Sequence, residues 1–107
     1  MRRLFLGIDF GTGGCKATAV SESGEVVADA SVEYPTEYPR QGWSEQNPSD
    51  WYAAMCRAVA EVGAKGADLS KVAAVSFDGS THNAVLLDGN MSPVRKTIMW
   101  TDQRSVA

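Results

Sequence analysis

The sequence predicts an α/β domain of three antiparallel strands, one helix and a strand that returns parallel to the first. Three observations carry this. Short apolar runs separated by glycine and serine turn chemistry fill the first 32 residues, a helix start signal stands at Asn47, and another short apolar run follows the helical stretch at Val72. With 107 residues, 44% of them hydrophobic, the chain can build one core and excludes two large domains.

Leu4-Phe5-Leu6-Gly7-Ile8 is a compact apolar run ending in Asp9, as expected of a buried strand, and Gly11-Thr12-Gly13-Gly14 turns the chain. Lys16 to Val20 alternates polar and apolar as a second strand. Ser21 to Gly24 is turn chemistry, and Glu25 to Val32 is the third strand. From Glu33 to Gln46, Tyr34-Pro35, Tyr38-Pro39 and Gly42-Trp43 predict an ordered but irregular connection, because residues before proline avoid helix. Asn47 is a good N-cap, Pro48 suits the first helical position, and Asp50 faces the positive end of the helix dipole. Trp51, Met55, Val59 and Val62 form the expected apolar stripe, which ends near Lys65 with Gly63 or Gly66 as the left-handed terminator. Val72 to Phe77 then predicts a buried parallel strand. Ala84 to Leu87 and Ser92 to Lys96, joined through Asp88-Gly89-Asn90, predict a hairpin whose return strand is marked as an edge by Pro93.

The balance of 10 basic against 13 acidic residues, net −3, lacks the cationic excess that reads nucleic-acid phosphates or anionic membranes. No apolar run approaches the roughly 20 residues of a membrane span. After Met1-Arg2-Arg3 the apolar run stops at Asp9, short of the roughly 7 to 15 residues of a secretory core, so a cytoplasmic protein is expected. Cys15 and Cys56 match no zinc or redox spacing and are expected to be reduced packing thiols.

Two segments can carry chemistry. In the first, Asp9 ends a buried strand, where a carboxylate can hold hydrated Mg²⁺. The N–H groups of Gly11, Gly13 and Gly14 can converge on phosphate oxygens with no Cβ in the way, and Thr12 and Lys16 add a hydroxyl and a positive charge. The same residues also suit a plain glycine-rich hairpin. The spacing is neither a P-loop nor a dinucleotide fingerprint, since Lys16 stands where a third glycine would be and a strand follows rather than a helix. In the second, Asp78-Gly79-Ser80-Thr81-His82 follows a strand end, where α/β sheets gather ligands. His82, the only histidine, suits either a ligand contact or a structural hydrogen bond, and Asp78 suits either chemistry or a turn cap. Trp51 belongs to the helix stripe, while Trp43 and Trp100 lie beside polar loops and suit either packing or stacking on a sugar.

Gly7 to Lys16 resembles the first phosphate motif of the sugar-kinase, hsp70 and actin superfamily. Three further segments are similar to those of the FGGY carbohydrate kinases, in the same order: Gly42-Trp43-Ser44-Glu45-Gln46-Asn47-Pro48 with Trp51, Ser76 to Asp88, and Trp100-Thr101-Asp102-Gln103-Arg104-Ser105. An actin-like or chaperone ATPase would account for the first motif only. The resemblance implies a ribonuclease H-like fold and ATP-dependent phosphorylation of a sugar hydroxyl, of a ketopentose such as xylulose or of a related sugar or polyol. It implies Asp9 at Mg²⁺, Gly11, Thr12, Gly13, Gly14 and Lys16 at the ATP phosphates, and Thr81, His82, Asp102 and Arg104 at the sugar. Gly79-Ser80-Thr81-His82-Asn83 departs from the Gly-Gln-Met-His-Gly usual in xylulose kinases. The resemblance further implies that residues 1–107 are the N-terminal part of a two-lobed kinase whose base and C-terminal lobe follow, so that this chain alone is inactive. The alternative from a different class is a nonenzymatic sugar- or phosphate-binding module that pairs, as a homodimer or with another chain, through an open sheet edge.

Overall fold

The computed structural model describes residues 2–106. Strand β1 (Leu4–Phe10), β2 (Gly14–Ser21) and β3 (Val26–Glu33) form an antiparallel meander. A two-residue strand β4 (Glu45–Gln46), helix α1 (Pro48–Ala64) and strand β5 (Val72–Gly79) follow. The sheet order is β3-β2-β1-β5, with β5 parallel to β1.

Alternation decides which face is covered. Leu4, Leu6 and Ile8 of β1 are buried while Phe5, Gly7 and Asp9 are exposed, so every second side chain faces the helix. Cys15, Ala17 and Ala19 of β2 and Ala28, Ala30 and Val32 of β3 continue that buried face. Helix α1 lies across β2 and β3. Its innermost line is Ala54, Ala58 and Val62, flanked by the half-buried Trp51, Met55 and Val59. Alanines at the centre let helix and sheet approach closely, which pushes the larger side chains to the flanks. Asn47 caps the helix by accepting from the Ser49 N–H at 3.1 Å, and of the two candidate terminators it is Gly66, at φ +111°, that takes the left-handed conformation.

Four expectations need correction. Strand β5 is parallel but not buried: Val75 and Phe77 share the helix-facing side of the sheet yet are 45% and 61% exposed. The helix covers the β2–β3 half of the sheet and leaves β5 as an open edge among the described residues; Phe77 stacks on Phe10, with ring centroids 6.4 Å apart. Residues 84–96 turn back as expected but build no ladder, only an isolated bridge between Leu87 and Pro93. Pro93 has no N–H to give, and among the described residues no further strand pairs with either side of the segment. Asp88 does hold this turn, its carboxylate accepting from the N–H groups of Asn90 and Ser92, but the left-handed residue is Met91 at φ +64° rather than a glycine. Asp78 caps no turn, since it lies inside β5. Cys15 is buried as a packing thiol, whereas Cys56 is exposed on the outer face of α1.

The connection from Glu33 to Gln46 is more regular than its prolines predict. It closes on itself through a bridge between Glu37 and Glu45, and β4 then pairs antiparallel with β6 (Thr97–Ile98). This second, two-stranded sheet brings Trp100 to the glycine-rich turn. No helix among the described residues is long and apolar enough to cross a membrane.

Candidate functional site

The turn between β1 and β2 is gripped from behind. Gly11 N–H closes it on Gly14 O at 2.9 Å. The carbonyl of Gly11 accepts from the Tyr34 hydroxyl, that of Thr12 from Gln46 Nε2 at 2.6 Å, and that of Gly13 from the Tyr34 N–H at 3.2 Å. With these carbonyls committed inward, the N–H groups of Thr12 and Gly13 have no acceptor among the described residues. Outward N–H groups on a tight turn are the geometry that receives an anion. Burial first, and then the nearby Cys15 and Asp9, push the Tyr34 phenol up to about 12, so it remains a donor at neutral pH. Burial likewise raises the Cys15 thiol above its ordinary value, with Asp9 adding to it, which keeps this sulfur protonated.

Register places the charged residues. Asp9 lies opposite Lys16 on β2 and beside Asp78 on β5, and the three line one groove of about 290 Å³ with Thr18 and Ser76. The side-chain hydrogen bond with Asp9, followed by desolvation, raises the Asp78 carboxyl from its ordinary value. Lys16 makes no ion pair among the described residues. Two neighbouring carboxylates beside a turn with unpaired N–H groups suit Mg²⁺, a hard cation that takes one or two protein carboxylates and fills its remaining positions with water and phosphate oxygens. The residues present therefore fit that ion.

The segment after β5 is tied to the same turn. Ser80 N–H donates to Phe10 O at 3.0 Å. His82 stands in the left-handed region at φ +66°, unusual for a residue with a Cβ, and its Nδ1 shares a 2.9 Å hydrogen bond with the Thr81 hydroxyl. Thr81 thereby orients the ring, and Nε2 makes no hydrogen bond among the described residues. His82 lines a groove of about 360 Å³ with Lys96, Met99, Trp100 and Asp102. Trp100 joins this groove to the turn: its backbone N–H donates to Asn83 Oδ1 at 2.7 Å and its indole N–H to Thr12 Oγ1 at 3.3 Å.

Arg104 faces another way. Its guanidinium bonds both oxygens of Asp102, reaches Glu45 at 2.7 Å, and stacks 3.8 Å from the centre of the Trp43 ring. Asp102 also accepts from the Ser44 N–H at 2.7 Å, so its carboxylate is occupied within the protein even though the residue forms part of the His82 groove wall. Trp43, with Arg40 at 5.2 Å as well, belongs to this cluster. Hydrogen bonds from Arg104, followed by the backbone N–H groups of Arg104 and Ser44, hold Asp102 well below the usual carboxylate range. An Asp with a depressed folded pKa stabilises above its unfolded value of about 3.9, and that contribution is lost as pH falls through the folded value. Urea midpoints measured from pH 5 down to pH 2 are thus expected to fall, and to fall less steeply in Asp102→Asn.

Reading the sequence missed Asp78 as a neighbour of Asp9, and Tyr34 and Gln46 as supports of the turn. The parallel register that pairs the two aspartates has no local signal. For Gln46 the available signal was its place in the Gly42 to Pro48 segment, directly before the helix cap Asn47.

The sequence and the fold are matched by known proteins. The family described as FGGY family of carbohydrate kinases, N-terminal domain, matches residues 4–107. The chain is 37% identical over 101 residues to a xylulose kinase of Bacillus subtilis, covering 94% of this chain and 20% of that protein. It is 34% identical over 105 residues to a gluconokinase of the same organism, again covering 20% of the relative. Among solved structures, the xylulose kinase of Rhodospirillum rubrum superposes with a TM-score of 0.88 at 30% identity, over 95% of this chain and 21% of that one. The fold is that of sugar kinases, and the chain spans about a fifth of the length of the relatives it matches.

Proposed function

Because the chain belongs to the FGGY family of carbohydrate kinases, we propose that it supplies the phosphate-binding turn and one wall of the sugar site of an enzyme that phosphorylates a sugar hydroxyl with ATP. The observation that carries this reading is the turn itself, whose carbonyls are committed inward while the Thr12 and Gly13 N–H groups are left to an anion. Thr12, Gly13 and Lys16 hold the ATP phosphates, Gly11 and Gly14 give the turn its shape, and Asp9, with Asp78 beside it, holds Mg²⁺. The ion, when bound, neutralises charge on the phosphoryl group being transferred. His82 Nε2, aimed by Thr81, binds a sugar hydroxyl, and Asp102 contributes to the groove wall. Phosphoryl transfer is chiefly a matter of positioning and charge, and these residues provide both. No residue of 1–107 is assigned as the base that takes the hydroxyl proton; that group belongs to the remainder of a complete kinase. We assign the acceptor to ketopentoses such as xylulose or related sugars and polyols. An ATP-dependent enzyme of this kind acts in the cytoplasm.

The test is a titration of the ¹⁵N-labelled chain with Mg-ATP. Amide shifts at Thr12, Gly13 and Lys16, weakened in Lys16→Ala, are the expected result, and a turn silent at millimolar Mg-ATP overturns the reading. The exposed edge of β5 favours one second reading, an interaction module that pairs through that edge. Sedimentation as a strict monomer at high concentration would exclude it for homodimers.

A further inference from the structure

We propose that Gln46 and Tyr34 are positioning residues for the phosphate turn, setting the backbone shape that aims the Thr12 and Gly13 N–H groups outward. The inference rests on the reading of that turn as an anion site and adds the residues that determine its shape.

Gln46 is the largest fully buried side chain among the described residues, 1% exposed, and all of its polar contacts are internal. The amide orientation is dictated by its neighbours. Trp51 Nε1 can only donate, so at 2.8 Å it must face Oε1; Thr12 O can only accept, so at 2.6 Å it must face Nε2. The second proton on Nε2 goes to Thr36 Oγ1 at 2.8 Å. A glutamate could replace only the acceptor half of this arrangement, and an apolar residue neither half. Buried amides are costly unless satisfied, so this one is held in a single pose and transmits it to the Thr12 peptide. Tyr34 completes the support, its hydroxyl on Gly11 O and its N–H on Gly13 O. Three consecutive turn carbonyls thus have fixed donors behind them. A peptide plane with its carbonyl pinned inward has its N–H directed to the opposite side. Gln46 stands on β4 directly before the helix cap, and Thr12 O and Thr36 Oγ1 by themselves fix which end of the amide carries Nε2, while Trp51 on the first turn of α1 satisfies the far oxygen.

The test compares three variants of the full chain by ¹⁵N relaxation at residues 11–13 and by Mg-ATP titration. Gln46→Met keeps the side-chain length and removes the donor onto Thr12 O. Tyr34→Phe removes only the donor onto Gly11 O. Trp51→Phe removes the partner of Gln46 Oε1 while leaving the bond to Thr12, and serves as the control for lost packing. We expect Gln46→Met and Tyr34→Phe to loosen the amides of residues 11–13 and to weaken Mg-ATP binding about tenfold, the loss of one hydrogen bond's worth of organisation, with β1–β3 shifts unchanged. Trp51→Phe should lower the melting temperature without loosening the turn. Wild-type order and affinity in both Gln46→Met and Tyr34→Phe, or equal loosening in Trp51→Phe, overturns the proposal. If Gln46→Met does not fold, Tyr34→Phe against Trp51→Phe decides it. If the wild-type turn binds no Mg-ATP, the anion-site reading fails, and the relaxation data alone decide whether these residues set the turn.

Discussion

Gly14→Ala destabilises the fold by about 3 kcal/mol, lowering the melting temperature by more than about 10 °C. The added Cβ would stand 2.7 Å from Val32 O, 3.1 Å from Glu33 Cα and 3.3 Å from Val32 C. All three atoms belong to the backbone of β3, which is held in register with β2 from Gly14↔Glu33 onward and cannot swing aside as a side-chain end could. The methyl group therefore either parts the two strands at this end or displaces the turn. Gly13 is the informative contrast, because a Cβ there meets nothing within 4 Å. Gly13→Ala is expected to change stability by no more than about 0.5 kcal/mol while weakening Mg-ATP, whose phosphates would approach that open side. Thermal melts of both variants, with titrations of whichever remains folded, check the pair; equal melting temperatures would show that the two glycines are not distinguished by backbone approach.

Glu45→Ala is the second large loss, with an expected drop in melting temperature of roughly 10 °C. The Glu45 carboxylate is buried between Arg95 at 2.9 Å and Arg104 at 2.7 Å, and it sits on β4, where the 97–104 segment is anchored to the body of the protein. Removing it releases Arg95, itself 45% exposed, to water, but leaves Arg104, 18% exposed, with Asp102 alone. The cost arises from the partner left behind rather than from the attraction of the pair in isolation. Glu45→Gln, which retains a neutral acceptor of the same shape, should lose clearly less. Thermal melts of the two variants test this, and a Glu45→Ala melt indistinguishable from wild type would show that the pairing of β4 with β6 holds without its charges.

These two cases also show which parts of the molecule local pattern could reveal. The Asn47-Pro48 helix start, the meander with its turns, the parallel placement of Val72 to Phe77 and the glycine-rich turn after Asp9 were all legible. Each depends on neighbours within about four residues, or on short connections that leave few topologies. The expected burial of β5 was not met, because burial depends on where α1 lies, and its Ala54–Ala58–Val62 line settles over β2 and β3. The ladder expected between 84–87 and 92–96 fails because a hairpin needs a covered face as well as a turn. Arg104 resembled a substrate residue in its motif, and the structure engages it with Asp102, Glu45 and Trp43.

By itself, then, the amino-acid sequence determined the order and type of the main elements, the family resemblance, and the residue types at the turn and at His82, all of which are written in spacing and composition. Only the tertiary structure decided that Asp78 stands beside Asp9, that Gln46 and Tyr34 grip the turn from behind, and that Trp100 joins the turn to the His82 groove. The side-chain hydrogen bonds onto the turn link positions from 23 to 88 residues apart. Such pairings are set by strand register and by satisfying buried polar groups, and neither leaves a periodic signal along the chain.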